Sequence, residues 1–282
     1  MESLAAGKWD VLVITPPCNT WSRLPWSSSP GPKPLRSRRH PWGFPWLTGP
    51  ALAKCTLGNS FVKQTFEAVL AAHGAGTKFL VEHLEDLGLT STGGEPASIW
   101  MLEELLAIHT STGAQTAALF QCSFGADYGK PTRLWSTLPQ LAELPHAGWP
   151  RFDAKGHYRG PLPAVCGHKH LRKLVGRSST GGFNSEGSAA YPPSCVNGWQ
   201  RSLSSMVAGA ANPWLPTPLQ LPAKCRCKGE TTKTRGSCSK KRTRRTTRKL
   251  VTKRNLKHPR KTTGRATPRR AFVTTWGGWA LR

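Results

Sequence analysis

The stretch Asp10-Val11-Leu12-Val13-Ile14-Thr15-Pro16-Pro17-Cys18-Asn19-Thr20-Trp21-Ser22 decides how the rest of the chain reads. Val11 to Ile14 is an apolar run of β-branched and leucine residues, closed by Thr15 and two prolines. So short a run between breakers predicts a strand buried on both faces, the kind found in parallel sheets. Open α/β sheets gather reactive groups just past the carboxyl ends of such strands. Cys18 stands at that place, and Pro16 and Pro17 fix two φ angles beside its thiol. A free cysteine is by default a small buried hydrophobe. The strand before Cys18 holds a nucleophilic reading open beside that default.

Working outward, a helix is expected after Asn59 or Ser60, with Phe61, Val62, Phe66, Val69 and Leu70 on its apolar face and Gly74 at its end. Thr77 to Val81 reads as a second buried strand that ends at Glu82. A carboxylate at the tip of an apolar strand is poor core filler. Pro96 to His109 reads as a second helix with Ile99, Leu102, Leu105, Leu106 and Ile108 inward. Thr116 to Cys122 and Arg133 to Leu138 are the third and fourth strands. Alternating strands and helices predict a parallel sheet. The short last link predicts an antiparallel final strand.

These motifs resemble the DNA cytosine-5 methyltransferases. The family's nucleophile motif is Pro-Pro-Cys-Gln-x-aromatic-Ser, matched here from Pro16 to Ser22 with Asn19 in place of glutamine. Its Glu-Asn-Val motif is matched by Glu82-His83-Leu84, with His83 for asparagine. Tyr128-Gly129-Lys130-Pro131-Thr132-Arg133 is similar to its Tyr-Gly-x-Pro-Gln-x-Arg segment, with the arginine one place early. The resemblance covers about Trp9 to Leu138. It implies an α/β fold, a partial class I (Rossmann-like) methyltransferase sheet lacking its first strands. It also implies Cys18 as nucleophile on carbon 6 of a flipped cytosine, with Glu82 at ring nitrogen 3. Pro16, Pro17, Ser22 and Arg133 would then shape the base pocket, and the loop cations Arg36, Arg38 and Arg39 would hold the nucleic acid. S-adenosylmethionine is the implied cofactor. The family's aromatic-x-Gly-x-Gly turn precedes its Pro-Pro-Cys strand, and only nine residues precede Asp10. No glycine-rich turn is read after any other strand, so no cofactor-binding residue is assigned and the methyl donor site is expected to be missing from this chain.

Trp21 to Leu57 shows no period of 2 or 3.6 and interleaves Arg23, Lys33, Arg36, Arg38, Arg39 and His40 with Trp26, Trp42 and Trp46. A loop of that length is a functional candidate, and cations among indoles suit phosphates and unstacked bases. A proline-stiffened surface loop explains it equally well. Arg23 and the Lys33 to Arg39 cluster are expected to lower the Cys18 pKa. Residues 139–221 read as a loop-rich extension with a short closing helix from Ser194 to Val207. Residues 222–282 read as a disordered basic tail. That tail carries 21 Lys or Arg against the single Glu230, a net +20 of the chain's +26. A tail of this kind suits polyanions, DNA before RNA.

Cys166-x-His168-x-His170 lacks the paired spacing of a structural zinc site, so no metal is assigned. No apolar run approaches the ~20 residues that span a bilayer, and the eight cysteines form no small-domain disulfide framework. A nuclear or cytoplasmic, non-secreted protein with no membrane partner is expected. Three readings remain open: a truncated methyltransferase-like protein inactive without a separate cofactor-binding half, a non-enzymatic nucleic-acid binder, and a pseudogene-like fragment.

Overall fold

The computed structural model describes residues 2–26, 31–177, 179, 181–185, 188 and 271–275. Its centre is a mixed sheet built from β1 (Val11–Thr15), β2 (Lys78–Leu84), β3 (Gln115–Phe120) and β4 (Pro131–Ser136), with β7 (Ala271–Thr275) added beside β1. The strand order is β3-β4-β2-β1-β7. β1 runs parallel to β2 and to β7, whereas β4 lies antiparallel between β2 and β3. The protein is therefore α/β with a mixed sheet, compatible with a partial Rossmann-like sheet.

Burial on both faces is what makes these apolar runs strands. Val11, Leu12, Val13 and Ile14 are all buried, and each such side chain contributes about 1.5–3 kcal/mol of transfer free energy. Alternate residues feed two clusters. On one face Leu12, Ile14, Phe79, Val81 and Trp135 meet Val62, Phe66, Val69 and Ala72 of α2 (Gly49–Gly74) and Leu105 and Ile108 of α3 (Glu103–Thr112). Leu4 of the short α1 (Glu2–Ala5) joins them. On the other face Val11, Val13, Leu80, Ala117, Leu119 and Leu134 are covered by Leu138, Leu141 and Leu144. The extension expected after residue 138 thus begins as part of the core.

Several boundaries differ from expectation. α2 starts at Gly49 with Pro50 in its first turn and Thr48 as an extended cap. Pro50 suits that position because its missing N–H is unneeded there. The sequence reading had left Pro50 to Leu57 in the loop. β2 runs on to Leu84, so Glu82 is paired opposite Leu134 inside the sheet and does not form its tip. The second helix divides into a 3-10 turn, Ile99–Met101, and α3. The antiparallel pairing of β3 with β4 agrees with the expected hairpin. A small hairpin, β5 (Arg151–Phe152) with β6 (Tyr158–Gly160), packs beyond the sheet. Gly88 in the turn after β2 lies so close to it that a Cβ would collide with the Gly156 carbonyl.

Five residues of the expected structureless tail are strand: Ala271 to Thr275 pair in register with Val11 to Thr15. The β-branched Val273, Thr274 and Thr275 suit a sheet edge. The rest of that tail and the closing helix expected from Ser194 lie outside the described residues. Among the described residues no helix is long and apolar enough to cross a membrane.

Candidate active site

Because β1 and β2 are parallel neighbours, their carboxyl ends open on one side of the sheet. The chain leaves β1 through Pro16 and Pro17 and turns at Cys18, whose carbonyl accepts the Trp21 N–H at 3.0 Å. A cavity of about 1030 Å³ opens there, lined among others by Cys18, Ser22, Arg23, Lys54, His83, Glu85, Asp86, Lys130 and Arg172. Cys18 lies in its wall, and Glu82, expected at the same cleft, does not line it. Pro16 and Pro17 stiffen the approach without lining it. The Ser22 hydroxyl accepts the Leu24 N–H at 3.2 Å and holds the turn.

Burial pushes the Cys18 thiol above its ordinary pKa. Lys130 opposes that shift, Glu82 adds to it, and the residue's own backbone N–H lowers it slightly. The cations expected to activate the thiol, Arg23 and the Lys33 to Arg39 cluster, are not those that act on it; Lys130 is. Lys130 is buried and donates to the Ser188 carbonyl at 3.1 Å. Its sequence signal was its place in Tyr128-Gly129-Lys130-Pro131, next to the arginine that drew attention instead.

Glu82 is only 5 % exposed and lies behind the cavity wall, close enough for its charge to reach the Cys18 thiol. Side chains alternate along a strand, and the neighbour His83 is the one that lines the cavity. Both His83 ring nitrogens are buried without a hydrogen-bond partner, and the ring meets Trp100 edge-on at 6.2 Å. Burial first, then Lys130 and Arg36, lowers its pKa to about 3 against a weaker opposing interaction with the Leu84 backbone, which falls short of a well-formed hydrogen bond, so the imidazole is neutral. A neutral imidazole offers one donor and one acceptor. Sequence reasoning registered His83 only as a departure from asparagine.

The expected substrate-binding arginines sit elsewhere. Arg36 is buried, and its guanidinium donates to the Thr20 carbonyl (3.1 Å), the Thr20 hydroxyl (3.0 Å), the Pro41 carbonyl (2.8 Å), Asn59 Oδ1 (2.7 Å) and the Cys55 carbonyl (3.3 Å). It also stacks 3.8 Å over Trp21. Burial lowers its pKa to about 10. It fastens the loop after Cys18 to α2 and presents nothing to a phosphate.

Arg38 pairs with both oxygens of Asp86 at 2.9 and 3.1 Å, and Arg23 donates to the Leu87 and Leu89 carbonyls at 3.3 Å. Both clamp the loop onto the turn after β2. Arg39 is exposed and ion-paired with Glu95 at 3.4 Å. Arg133 is fully buried, bidentate to Glu85 at 2.7 and 2.8 Å, with Thr116 Oγ1 at 2.7 Å and the Gly148 carbonyl at 2.6 Å as further acceptors. The Tyr158 hydroxyl donates to the same Glu85 at 2.8 Å. Arg133 therefore closes the sheet against the β5–β6 hairpin and does not reach a base.

No described strand on the cavity side is followed by a glycine-rich turn. The sequence reading missed one candidate: β7 is followed by Trp276-Gly277-Gly278, which lie outside the described residues. No protein-family model, curated protein or solved structure matches this chain.

Proposed function

We propose that the protein is a DNA cytosine-5 methyltransferase-like, nucleic-acid-binding protein with Cys18 as its nucleophile. The single observation behind this reading is Cys18, which lines a large cavity at the shared carboxyl end of two parallel strands. The antiparallel β4 between β2 and β3 agrees with the way a class I methyltransferase sheet ends, and β7 lies where a further parallel strand of that sheet would pair. Lys54, Lys130 and Lys173 give the cavity cations for a phosphate. The extreme charge of residues 222–282 supplies sequence-independent attraction to DNA.

The chemistry is limited to what the chain's own residues carry. The Cys18 thiol first loses its proton, a step that burial disfavours and Lys130 assists. The thiolate adds to carbon 6 of an unstacked cytosine. Glu82 lies behind the wall and does not reach ring nitrogen 3; the charge that develops on the ring is offset by Lys130, which lines the cavity. Carbon 5, now nucleophilic, accepts a proton from water. Elimination of the thiolate with loss of the original carbon-5 proton restores the ring. No methyl group is needed for that cycle, so it isolates the role of Cys18.

The test is release of tritium from carbon 5 of labelled cytosine in DNA, without cofactor. Release is expected from the intact chain, faster at higher pH, and absent in Cys18→Ser. Equal release from both overturns the nucleophile assignment. A second reading, binding without catalysis, is favoured by the raised Cys18 pKa; it predicts no release from either protein while DNA binding persists.

A further inference from the structure

Outside the cavity floor, the fold brings together residues that the sequence keeps far apart. Cys122 sits in the 3-10 turn Gln121–Phe124 directly after β3. Cys166, His168 and His170 belong to the segment that runs along the cavity wall, where His170 and Arg172 are lining residues. The ligand atoms of Cys122, Cys166 and His168 all lie within 4.8 Å of one another. The Cys166 Sγ is 3.2 Å from His170 Nε2. Alternate residues of an extended segment point to opposite sides. The left-handed Gly167, at φ 76°, breaks that alternation between Cys166 and His168.

We propose that Cys122, Cys166, His168 and His170 form a Zn²⁺ site that pins the cavity-wall segment to the turn after β3. Two thiolates and two imidazoles are a closed, four-coordinate set of the structural type. With Zn–S near 2.3 Å and Zn–N near 2.0 Å, tetrahedral donors stand roughly 3.3–3.8 Å apart. Cys122, Cys166 and His168 stand within 4.8 Å of one another, and His170 is placed beside them by its contact with Cys166. A bound cation would hold both sulfurs as thiolates. The spacing rule that excluded zinc in the sequence asked for a second pair nearby, whereas the fold supplies a partner from the turn after β3. The same region carries a second tie, Arg172 to Asp127 at 3.2 Å.

The experiment uses the full chain, purified under reducing conditions. Reconstituted wild type is expected to hold one zinc per chain at this site. Cobalt substitution is expected to show tetrahedral ligand-field bands with charge transfer from two thiolates. Cys122→Ser and Cys166→Ser are expected to weaken zinc at least about 100-fold, since loss of an outer-shell partner alone costs 10–100-fold. A triple Cys225→Ser, Cys227→Ser, Cys238→Ser variant is expected to keep the site.

His168→Asn and His170→Gln change exposed residues, so they report on binding even if the cysteine variants fold poorly. Chelation of the wild type is expected to speed trypsin cleavage at Lys169 and Lys173. Several outcomes overturn the proposal: no zinc after reconstitution, zinc that survives both histidine variants, or a Cys122–Cys166 disulfide in the isolated reduced protein.

Discussion

Arg133 and His83 face each other across one sheet register, paired by β2 and β4. Both are fully buried, yet they differ in what surrounds them. Arg133 has a bidentate carboxylate, a hydroxyl and a carbonyl around its guanidinium. His83 has neither ring nitrogen bonded and lines a cavity. A buried polar group with every valence met serves the fold. One left unmet costs stability. The same contrast separates Arg36, saturated by Thr20, Asn59 and Cys55, from Cys18, held protonated by burial. Arg36 and Arg133, which resembled part of a base-binding set, are therefore taken up by the fold.

The largest effect tests the saturated side. Arg133→Met leaves Glu85 buried with only the Tyr158 hydroxyl as its donor, and breaking a buried pair from one side costs about 3–5 kcal/mol. Chemical denaturation should show a loss of that order, or no folded protein at all. Glu85→Gln added to Arg133→Met should recover part of it, because no charge is then stranded. Arg36→Met should cost less, on the order of 1–3 kcal/mol, since the acceptors it abandons are neutral. A stable Arg133→Met protein that has lost DNA binding would invert the comparison and return Arg133 to the binding site.

The contrast also explains what the sequence disclosed. β1, β2 and β3 were legible because each holds an apolar run, and Cys18 because it follows one of them. The start of α2 was hidden because Pro50 resembles loop punctuation while serving as a first-turn residue. The fate of the arginines was hidden for another reason. Their partners lie at Thr20, Asn59, Glu85 and Asp86, and side-chain partners distant in sequence leave no periodic trace. Lys130 and Cys122 were missed on the same ground. β7 was hidden by composition, five strand-forming residues at the end of a highly charged tract.

An intermediate effect tests the unsatisfied side. The folded His83 has a pKa of about 3, below the ordinary 6.5. Between those values the unfolded chain binds a proton that the folded chain refuses. Stability is therefore full above pH 6.5 and falls as the pH drops toward 3, by up to about 1.4 kcal/mol per pH unit. His83→Gln should flatten the wild-type decline between pH 6.5 and 5. Burial also lowers the His109 pKa, which adds a slope of the same sign to both proteins, so the difference between them isolates His83. Identical slopes in the two proteins would mean that His83 is hydrated, and the cavity wall would lose its defining unsatisfied group.

The smallest effect leaves stability unchanged and concerns only the rate at which Cys18 reacts. Burial dominates its environment and keeps the thiol protonated, while Lys130 and Glu82 pull in opposite directions. Only the thiolate attacks an alkylating agent. Alkylation of Cys18 by iodoacetamide, followed on its own peptide by mass spectrometry, should be slower at pH 7.5 than for a free cysteine near pKa 8.5. It should still be rising where a free thiol has levelled off. Lys130→Met removes the cation that favours thiolate and should move the profile further up. Glu82→Gln removes the opposing charge and should move it down. Those two shifts of opposite sign require both side chains to sense the same sulfur. A profile that already plateaus at neutral pH, insensitive to Lys130, would show a thiolate activated by groups other than these. Cys18 would then stand apart from the wall that Lys130 and His83 form.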